Sequence, residues 1–577
     1  MRIHTLCRPE IYPSVNDMQE RLITVLNHSA ERLRNAGLTG DLGMQMERLA
    51  MQVRQPCTVA VVGPVKVGKS TFVNALLGED HAKVGTTETT ATINYFSYAD
   101  PKDYNPERPV RCHWRGGGFS DETREFLDGL QGNDYETLRR ADGIDHLEYF
   151  LPYVFLKQIT LVDTPGTGAV VEQHENRTAE FMRLTSQLRE RHDSETRQLN
   201  DTADAIIYLV GPVAKLSNER FLEAFAEIAG DSSAQNAVGV MSKIELQPQM
   251  MARRHELSAR IADQLKDNLN TVIPVAAGLR RELDRLFLDG EERLTLLIDT
   301  LRRIPPTWLE TLLDSDELFC EFEPDDCPVT AAERRELLGE TPWGVFATIA
   351  RVAADTTLAP KEVTEHLEEM CGFEQLWGVL HERFIQRGHI LRCYRIAREA
   401  QKTLNREIKY TYLPRWREET SKVEERLEKF LTFIQRANGD PATARELQDF
   451  VRQHLDADER VTELEKLHSA LDLELSTLLY QLRAYNADFE ALQKLGRDDL
   501  GLSSTQLEEL RALLGLYGGE VGQRLPSDRL SDIEYIGQRQ RYWQVKKMGA
   551  PYGTSPYTVA DRAFARYGMI LDELCGT

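Results

Sequence analysis

An octapeptide near the start of the chain constrains its fold more than any other feature. Residues 63–70 read Gly-Pro-Val-Lys-Val-Gly-Lys-Ser, after an apolar run that ends at Val62 and before an amphipathic run at 71–77. Glycines at this spacing let the backbone N–H groups turn toward a polyphosphate, and the N-terminus of the next helix adds partial positive charge. The segment therefore predicts the strand, loop and helix of a P-loop α/β domain.

Two side chains of this loop have expected roles in phosphate chemistry. Lys69 would reach the β and γ phosphates of a nucleotide, and Ser70 would ligate Mg²⁺. Nucleotide contacts are expected along the whole loop, at Gly63, Pro64, Val65, Lys66, Val67, Gly68, Lys69, Ser70 and Thr71.

A second motif further along the chain completes a phosphate site. The apolar run 159–162 ends in Asp163 and is followed by Gly166. In P-loop enzymes, a carboxylate at the end of such a strand holds the Mg²⁺ shell. The Gly166 N–H would bond the γ-phosphate and sense its loss. This pairing of motifs favours a GTPase.

The threonine-rich segment 85–92 lies between the two motifs and offers a switch residue. A threonine there can close over Mg²⁺ while the γ-phosphate is present. Thr90 is the candidate because a strand-like run follows it directly, and Thr87 and Thr89 remain alternatives. The expected metal ligands are then Ser70, Thr90 and Asp163.

Base recognition is predicted at the ends of later strands. The runs 205–210 and 237–241 are short, apolar and β-rich, as buried parallel strands are. The second leads into Ser242, Lys243, Ile244 and Glu245. GTPases usually have Asn or Thr at the first of these four positions, Lys at the second, any residue at the third and Asp at the fourth. Glutamate is longer by one methylene but still accepts hydrogen bonds from guanine N1 and N2. The strand 271–276 leads into Ala276, Ala277 and Gly278, where a backbone N–H could meet guanine O6.

The chain resembles the bacterial dynamin-like GTPases, and within them the secretion-linked Leo proteins. The resemblance lies in GPVKVGKSTFVNALLG, TTETTATINYF, LVDTPGTGAVVEQHENRTAEF and GFEQLWGVLHERFIQRGHILRCYRIAREA. It implies an α/β P-loop GTPase domain, with a mostly parallel sheet flanked by helices, plus an all-α elongated helical bundle as neck and trunk. It also implies GTP hydrolysis to GDP and phosphate with Mg²⁺, and self-association of GTPase heads or with partner dynamin-like subunits. Membrane remodelling or vesicle-linked secretion would follow.

The resemblance adds roles within the site. Relatives place an internal arginine finger at the position of Lys66, so a lysine here could swing over the phosphates as a cationic finger. The alternative is an exposed lysine that a partner subunit covers. Thr167 stands where small GTPases have a water-positioning glutamine. The catalytic candidates are therefore Lys66, Lys69, Thr90 and Gly166.

The length of 577 residues predicts several domains. Residues 1–55 are expected to form an N-terminal helical neck, and 56–388 the GTPase domain with a helical insertion at about 279–371. Residues 389–577 would form a helical stalk, with a possible tip at about 496–520 and a C-terminal helix that returns to the neck. An irregular excursion is expected at 104–145.

A seam of apolar residues marks the clearest helix of the stalk. Between Glu459 and Lys494, apolar side chains recur at steps that mostly alternate three and four. Consecutive four-residue steps from Leu467 to Leu475 resemble a stutter. The core of an intramolecular bundle is favoured over an intermolecular zipper.

Charge limits the class of partner. The net charge of −22 disfavours nucleic acid and broad adhesion to anionic lipid, so any membrane contact must be local. The eight scattered cysteines and the absence of an apolar signal core or a long apolar run indicate a cytoplasmic protein, peripheral at a membrane if it binds one. Local contact could come from 500–519, for which a bundle tip is the alternative. It could also come from 538–557, where basic and aromatic residues alternate and packing on the stalk is the alternative.

Two classes of function remain open at this point. The first is a mechanochemical dynamin-like GTPase. The second is a GTP-regulated cytosolic scaffold or assembly factor with little membrane activity. Glu245 adds a third reading, a nucleotide-binding protein with poor catalysis or relaxed base choice.

Overall fold

The computed structural model describes most of the chain, in two compact units. We call Pro56–Gly388 the sheet unit, and Pro9–Gln55 together with His389–Thr577 the helical unit. The described residues are 14–36, 41–64, 66–79, 92–130, 143–164, 203–212, 236–265, 269, 271–288, 291–437, 441–497, 500–517 and 521–575.

A nine-stranded sheet forms the core of the sheet unit, in the order β4-β3-β5-β2-β6-β1-β7-β8-β9. The strands are β1 Cys57–Val62, β2 Ile93–Tyr98, β3 Val110–Trp114, β4 Phe119–Glu122, β5 Ile144–Leu151, β6 Ile159–Asp163, β7 Ala205–Val210, β8 Ala237–Met241 and β9 Val272–Pro274.

Most of the strand pairs are parallel, which confirms the predicted fold class. β1 lies between β6 and β7, with Val61 opposite Asp163 on one side and Ile207 on the other. β7, β8 and β9 continue the sheet in parallel. Every residue of β7 and β8 is buried, as a strand covered on both faces requires. Because β1, β6 and β8 run in parallel, their carboxyl ends lie at one edge of the sheet.

The other side of the sheet corrects one expectation. The segment 104–145 is not an irregular excursion, because it contains the antiparallel hairpin β3–β4, and β3 also pairs antiparallel with β5. Gly117 and Gly118 make the hairpin turn with φ of 89° and 86°. The glycines therefore mark a tight connection between short strands.

Helices flank this sheet and follow it in the chain. Those of the sheet unit are α3 Lys69–Leu77, α4 Arg124–Asp128, α5 Pro248–Ala252, α6 Arg254–Gln264, α7 Ala277–Leu288, α8 Glu291–Arg302, α9 Pro306–Leu312, α10 Asp316–Glu321, α11 Ala331–Leu338, α12 Trp343–Ala353, α13 Pro360–Cys371 and α14 Phe373–Leu380. A π-helical stretch, His381–Ile385, follows α14.

The helical unit contains α1 Ser14–Asn35 and α2 Asp41–Gln52, then the helices that follow the sheet unit. These are α15 Gly388–Leu404, whose first residue belongs to the sheet unit, α16 Leu413–Ala437, α17 Pro441–Arg497, α18 Ser504–Leu513, α19 Val521–Arg524, α20 Ile533–Gly549 and α21 Ser555–Cys575. A second π-helical stretch, Asn405–Tyr412, joins α15 to α16. None of the helices in the described ranges has the length and apolarity needed to cross a bilayer.

The predicted seam packs inside the protein. Leu464, Leu471 and Leu475 of α17 share one core with Leu22 and Leu26 of α1. The intramolecular bundle that the spacing favoured is thus confirmed. The helix itself is longer than predicted, since α17 begins at Pro441.

A second core of the helical unit gathers the C-terminal end of α17 with α18, α20 and α21 around Trp543. It encloses a buried ion cluster. Arg562 Nε donates to Asp488 Oδ1 at 2.6 Å, Arg524 Nη1 donates to Oδ2 at 3.2 Å, and Arg566 bonds both oxygens. Each oxygen of this buried carboxylate therefore has a partner.

Candidate functional site

The P-loop turns between β1 and α3, and its two glycines are needed for different reasons. Gly63 has φ of 153°, and a Cβ there would lie 2.6 Å from the Leu209 carbonyl oxygen of β7. Gly68 caps α3 with φ of 97°. Both conformations favour glycine, and together they direct the loop across the N-terminus of α3.

Lys69 begins α3 and points back over the loop. Its Nζ donates to the carbonyl oxygens of Gly63 at 3.1 Å and Pro64 at 3.2 Å. Burial lowers the pKa of Lys69 to about 8, and the nearby Asp163 carboxylate partly opposes this shift. A polyphosphate at the loop would give this buried ammonium a stronger partner than two neutral carbonyls do.

Ser70 and Asp163 meet beneath the loop, as the two motifs predict. Ser70 Oγ donates to Asp163 Oδ2 at 3.0 Å. Asp163 is fully buried, and its Oδ1 has no hydrogen-bond partner among the described residues. Burial raises the pKa of Asp163 to about 6, against the opposing effects of Lys69 and Ser70. A hydroxyl beside a half-satisfied carboxylate is an oxygen donor set that fits Mg²⁺.

Two lysines of the proposed site have left-handed backbone conformations. Lys66 has φ of 62° and Lys243 has φ of 61°, and they are the non-glycine residues with positive φ in the described part of the chain. Such conformations cost about 1–3 kcal/mol each and cluster at functional sites. That both fall in motifs chosen from the sequence supports a shared function for those motifs.

The base-reading segment contacts the P-loop directly. Ser242 Oγ donates to the Val67 carbonyl oxygen at 2.7 Å and so joins the end of β8 to the loop. The Lys243 stem covers Gly68, since a Cβ at that glycine would lie 3.5 Å from Lys243 Cε. The two segments therefore form one continuous surface.

Glu245 lies on a 3₁₀ turn, Ile244–Leu246, and reaches the N-terminus of α7. Its Oε1 accepts a hydrogen bond from the Gly278 N–H at 2.7 Å, while its buried Oε2 has no partner among the described residues. Burial raises the pKa of Glu245, against N–H bonds from its own backbone and from Gly278. The arrangement leaves one carboxylate oxygen for a ligand.

The two alanines at the start of α7 differ in what they can offer. The Ala276 N–H already bonds the Cys371 carbonyl oxygen at 3.0 Å. Ala277 is the first residue of α7, where the backbone N–H has no acceptor within the helix. Ala277 is thus the better placed donor for guanine O6.

Three predicted site residues lie outside the described residues: Val65, Thr90 and Gly166. The alternatives Thr87 and Thr89 lie outside them as well. Their roles stay predictions.

Sequence reasoning missed one residue of the site and one contact. Asn94 of β2 is buried and stands opposite Asp163 in the antiparallel pair β2–β6. An asparagine among the mostly apolar and aromatic residues of this strand was a signal for it. Gly278 lies in the segment that was expected near guanine O6, but nothing in the sequence marked the bond from its N–H to Glu245.

Comparisons with known proteins agree with these motifs. Residues 59–244 match the model of the dynamin family. Isoniazid-induced protein IniC of Mycobacterium tuberculosis is 26% identical over 385 residues, which cover 65% of this chain and 73% of that protein. Dynamin-like protein 2 of Campylobacter jejuni is 25% identical over 191 residues, which cover 33% of this chain and 27% of that protein.

A solved structure described as an oligomerised bacterial dynamin pair aligns with 97% of this chain and 75% of that chain, at 15% identity and a TM-score of 0.26. The matched residues 59–244 include the P-loop, Asp163 and Lys243. Residues 59–244 are therefore a domain of the dynamin family, and relatives named as dynamin-like proteins match the chain as well.

Proposed function

We propose that this protein binds GTP with Mg²⁺ and hydrolyses it to GDP and phosphate. One observation carries the proposal: Asp163, bonded to Ser70, and Glu245, bonded to Gly278, are buried carboxylates, and each has one oxygen without a partner among the described residues. Buried polar atoms are almost always hydrogen-bonded, so an unpaired one needs an explanation. A metal at Asp163 and a guanine base at Glu245 would supply both partners.

Different residues would bind the phosphates, the metal and the base of the nucleotide. Residues Gly63 to Thr71 would surround the phosphates, with Lys69 on the β and γ groups. Ser70 and Asp163 would hold Mg²⁺, with Thr90 as the third protein ligand. The metal would offset negative charge on the phosphate oxygens. Lys243, Glu245 and Ala277 would select the base, while Ser242 and Ala276 support that segment through their bonds to Val67 and Cys371.

Hydrolysis needs positive charge near the bond that breaks and a correctly placed water. Lys66 is our candidate for the charge, because its strained backbone puts it within the loop that would surround the phosphates. The Gly166 N–H and the Thr90 backbone are candidates for orienting the γ-phosphate and the water. Lysine lacks the fork of arginine, so its effect should be smaller than that of an arginine finger.

A direct test is the turnover of GTP against ATP by the purified protein over a range of concentrations. Lys69→Ala serves as the blank. We expect turnover that is selective for GTP and abolished in the blank. In Lys66→Ala, kcat should fall more than GTP affinity does. Turnover of both nucleotides that persists in Lys69→Ala would contradict the proposed site.

Self-association is the second part of the proposal, and the match of residues 59–244 to the dynamin family supports it. In this view the sheet unit is the GTPase head (56–388, insertion 279–371), with 1–55 as neck and 389–577 as stalk. GTP would bring two heads together, or a head and a partner dynamin-like subunit. Turnover per molecule should then rise with protein concentration, and a flat profile would count against it.

Peripheral membrane contact is favoured by one surface, the end of the α20–α21 hairpin. Residues 538–557 contain four basic residues and no acidic ones, in a chain of net charge −22. Arg539 pairs with Glu509 and Lys547 with Asp561, so Arg541 and Lys546 are the candidates for lipid contact. Val545, Met548 and Tyr552 are 69%, 80% and 87% exposed. Apolar side chains beside cationic ones suit an anionic lipid surface. The other candidate, 500–519, carries Glu508 and Glu509.

Liposome co-sedimentation separates this version from the scaffold alternative. Pelleting with anionic vesicles that depends on GTP, and that Met548→Asp reduces, supports membrane remodelling or vesicle-linked secretion. Met51→Asp is the matched control, because Met51 is 75% exposed on α2. Good turnover with no pelleting would instead favour a GTP-regulated cytosolic scaffold.

A further inference from the structure

The contact between Glu245 and α7 depends on the absence of a side chain at position 278. A Cβ on Gly278 would lie 2.7 Å from Glu245 Oε1 and 3.5 Å from its Cγ and Cδ. The Gly278 N–H that bonds Oε1 would remain in place in any non-proline variant. A larger residue would therefore push the carboxylate away from its position without removing the donor.

The backbone of Glu245 has little freedom to compensate. A Cβ on Gly344 of α12 would lie 2.5 Å from the Leu246 carbonyl oxygen, so α12 packs closely against the turn that carries Glu245. Ile244, on the other side, is fully buried. With the turn held on both sides, the space at position 278 decides where the carboxylate lies.

The position matters because the two oxygens of Glu245 differ. Oε1 is bonded, and Oε2 is buried without a partner in the described part of the chain. Guanine presents two donors, the N1 and N2 hydrogens, to a carboxylate on that edge. Adenine presents an acceptor at N1. A carboxylate held in place can thus choose between the bases.

We infer that Gly278 is a positioning residue for base selection. It allows Glu245 to bind the base at a position where GTPases usually have an aspartate. The inference rests on the proposed GTP binding. The extra methylene of Glu245 extends its reach by about 1.5 Å, the length of one C–C bond. That added reach brings the carboxylate to the space a Cβ would fill. A glutamate at position 245 therefore requires a glycine at position 278, whereas a shorter aspartate at 245 should leave room for an alanine at 278.

The test compares wild type with Gly278→Ala, Glu245→Asp and the double variant E245D/G278A. Dissociation constants for GTP, ITP and ATP are measured by calorimetry with Mg²⁺; ITP lacks the 2-amino group. Wild type should bind GTP more tightly than ITP or ATP. Each single variant should lose about tenfold or more in GTP affinity, as expected when a charged hydrogen bond is disturbed. ATP affinity should change little.

The double variant provides the decisive readout. Its GTP affinity and its ratio of GTP to ITP affinity should exceed those of either single variant, which a merely structural role of Gly278 would not produce. Thermal unfolding with Gly537→Ala as control checks folding, because a Cβ on Gly537 of α20 meets nothing within 4 Å.

Three outcomes overturn the inference, and they show whether the proposed function fails with it. If wild type binds GTP but Gly278→Ala keeps the ratio of GTP to ITP affinity, or the two losses are simply additive in the double variant, Gly278 has no positioning role. If wild type binds GTP and ATP equally, Glu245 does not select the base, and the phosphate part of the site still stands. If wild type binds no GTP, both proposals are wrong.

Discussion

Asp163 in the sheet unit and Asp488 in the helical unit are both buried aspartates that interact electrostatically with basic residues, yet their surroundings differ. Asp488 is contacted by three arginines, and both of its oxygens are bonded. Asp163 has one bond, from Ser70, and a buried Oδ1 without a partner among the described residues. Full pairing indicates a structural role, whereas a half-paired carboxylate indicates a place for a ligand.

The largest expected effect is at Asp488. Asp488→Asn keeps the shape of the side chain but leaves Arg524, Arg562 and Arg566 without their counter-charge. Breaking a buried ion cluster in this way costs about 3–5 kcal/mol. Urea unfolding followed by circular dichroism should show a loss of that size.

A matched control is Glu474→Gln, which removes the partly exposed pair with Arg32. That change should cost less than about 1 kcal/mol. Equal losses in the two variants would mean that the Asp488 cluster is no more important to stability than a surface pair.

Asp163→Asn should stabilise the nucleotide-free protein, in contrast to Asp488→Asn. Burial raises the pKa of Asp163 to about 6, so ionising this carboxyl costs more free energy in the folded protein than in the unfolded chain. Asparagine removes that charge, so the nucleotide-free protein should gain about 1–3 kcal/mol of stability. Binding of GTP with Mg²⁺ should weaken at least tenfold. A fall in the melting temperature measured in EDTA without nucleotide would contradict this view of the site.

The effect of replacing Glu509 on stability should lie between those of the two aspartates: a loss, but a smaller one than at Asp488. Its Oε1 accepts from Arg539 Nε at 2.7 Å and from the Tyr567 hydroxyl at 2.6 Å, and also from Trp543. The carboxylate is partly exposed, so Glu509→Gln should cost about 1–2 kcal/mol, less than Asp488→Asn. Chemical unfolding of both variants in one buffer tests this order. A larger loss at Glu509 would reverse it.

The smallest expected effect concerns pH. Because the folded pKa of Asp163 lies above the unfolded value of 3.8, its ionised form destabilises the protein above about pH 6. That cost falls away as the pH drops from about 6 toward 3.8. The stability difference between Asp163→Asn and wild type should therefore narrow by about 1 kcal/mol from pH 7 to pH 5. A difference that stays constant in EDTA would show that Asp163 titrates normally.

The sequence predicted the parts of the fold in which local pattern and burial agree. β7 and β8 are short apolar runs, and they are the fully buried strands of a parallel sheet. The contact of Ser70 with Asp163 followed from two motifs whose strands had to be neighbours. Where an apolar pattern sets the structure, the sequence is sufficient.

The sequence did not predict features that depend on length, helix limits or contacts between distant segments. The hairpin β3–β4 is short: β3 alternates apolar and polar residues over only 5 positions, and the 4 residues of β4 are mostly polar and exposed or partly exposed, so the pattern is too brief to distinguish it from a loop. The first turns of α17, before Glu459, were placed in the helical stalk, but the sequence did not show that this helix begins at Pro441. The bond between Glu245 and Gly278 joins segments 33 residues apart and depends on the approach of α7.

The π-helical stretch Asn405–Tyr412 has a consequence for how this chain tolerates changes in length. A π turn holds more residues than an α turn, so a π stretch inside a continuous helix is where an extra residue can be absorbed. In an ordinary α-helix, each added residue would rotate everything beyond it by about 100°. Ile408 and Leu413 nevertheless remain buried in the same core. Insertions and deletions of a single residue should therefore be better tolerated within 405–412 than within the seam of α17.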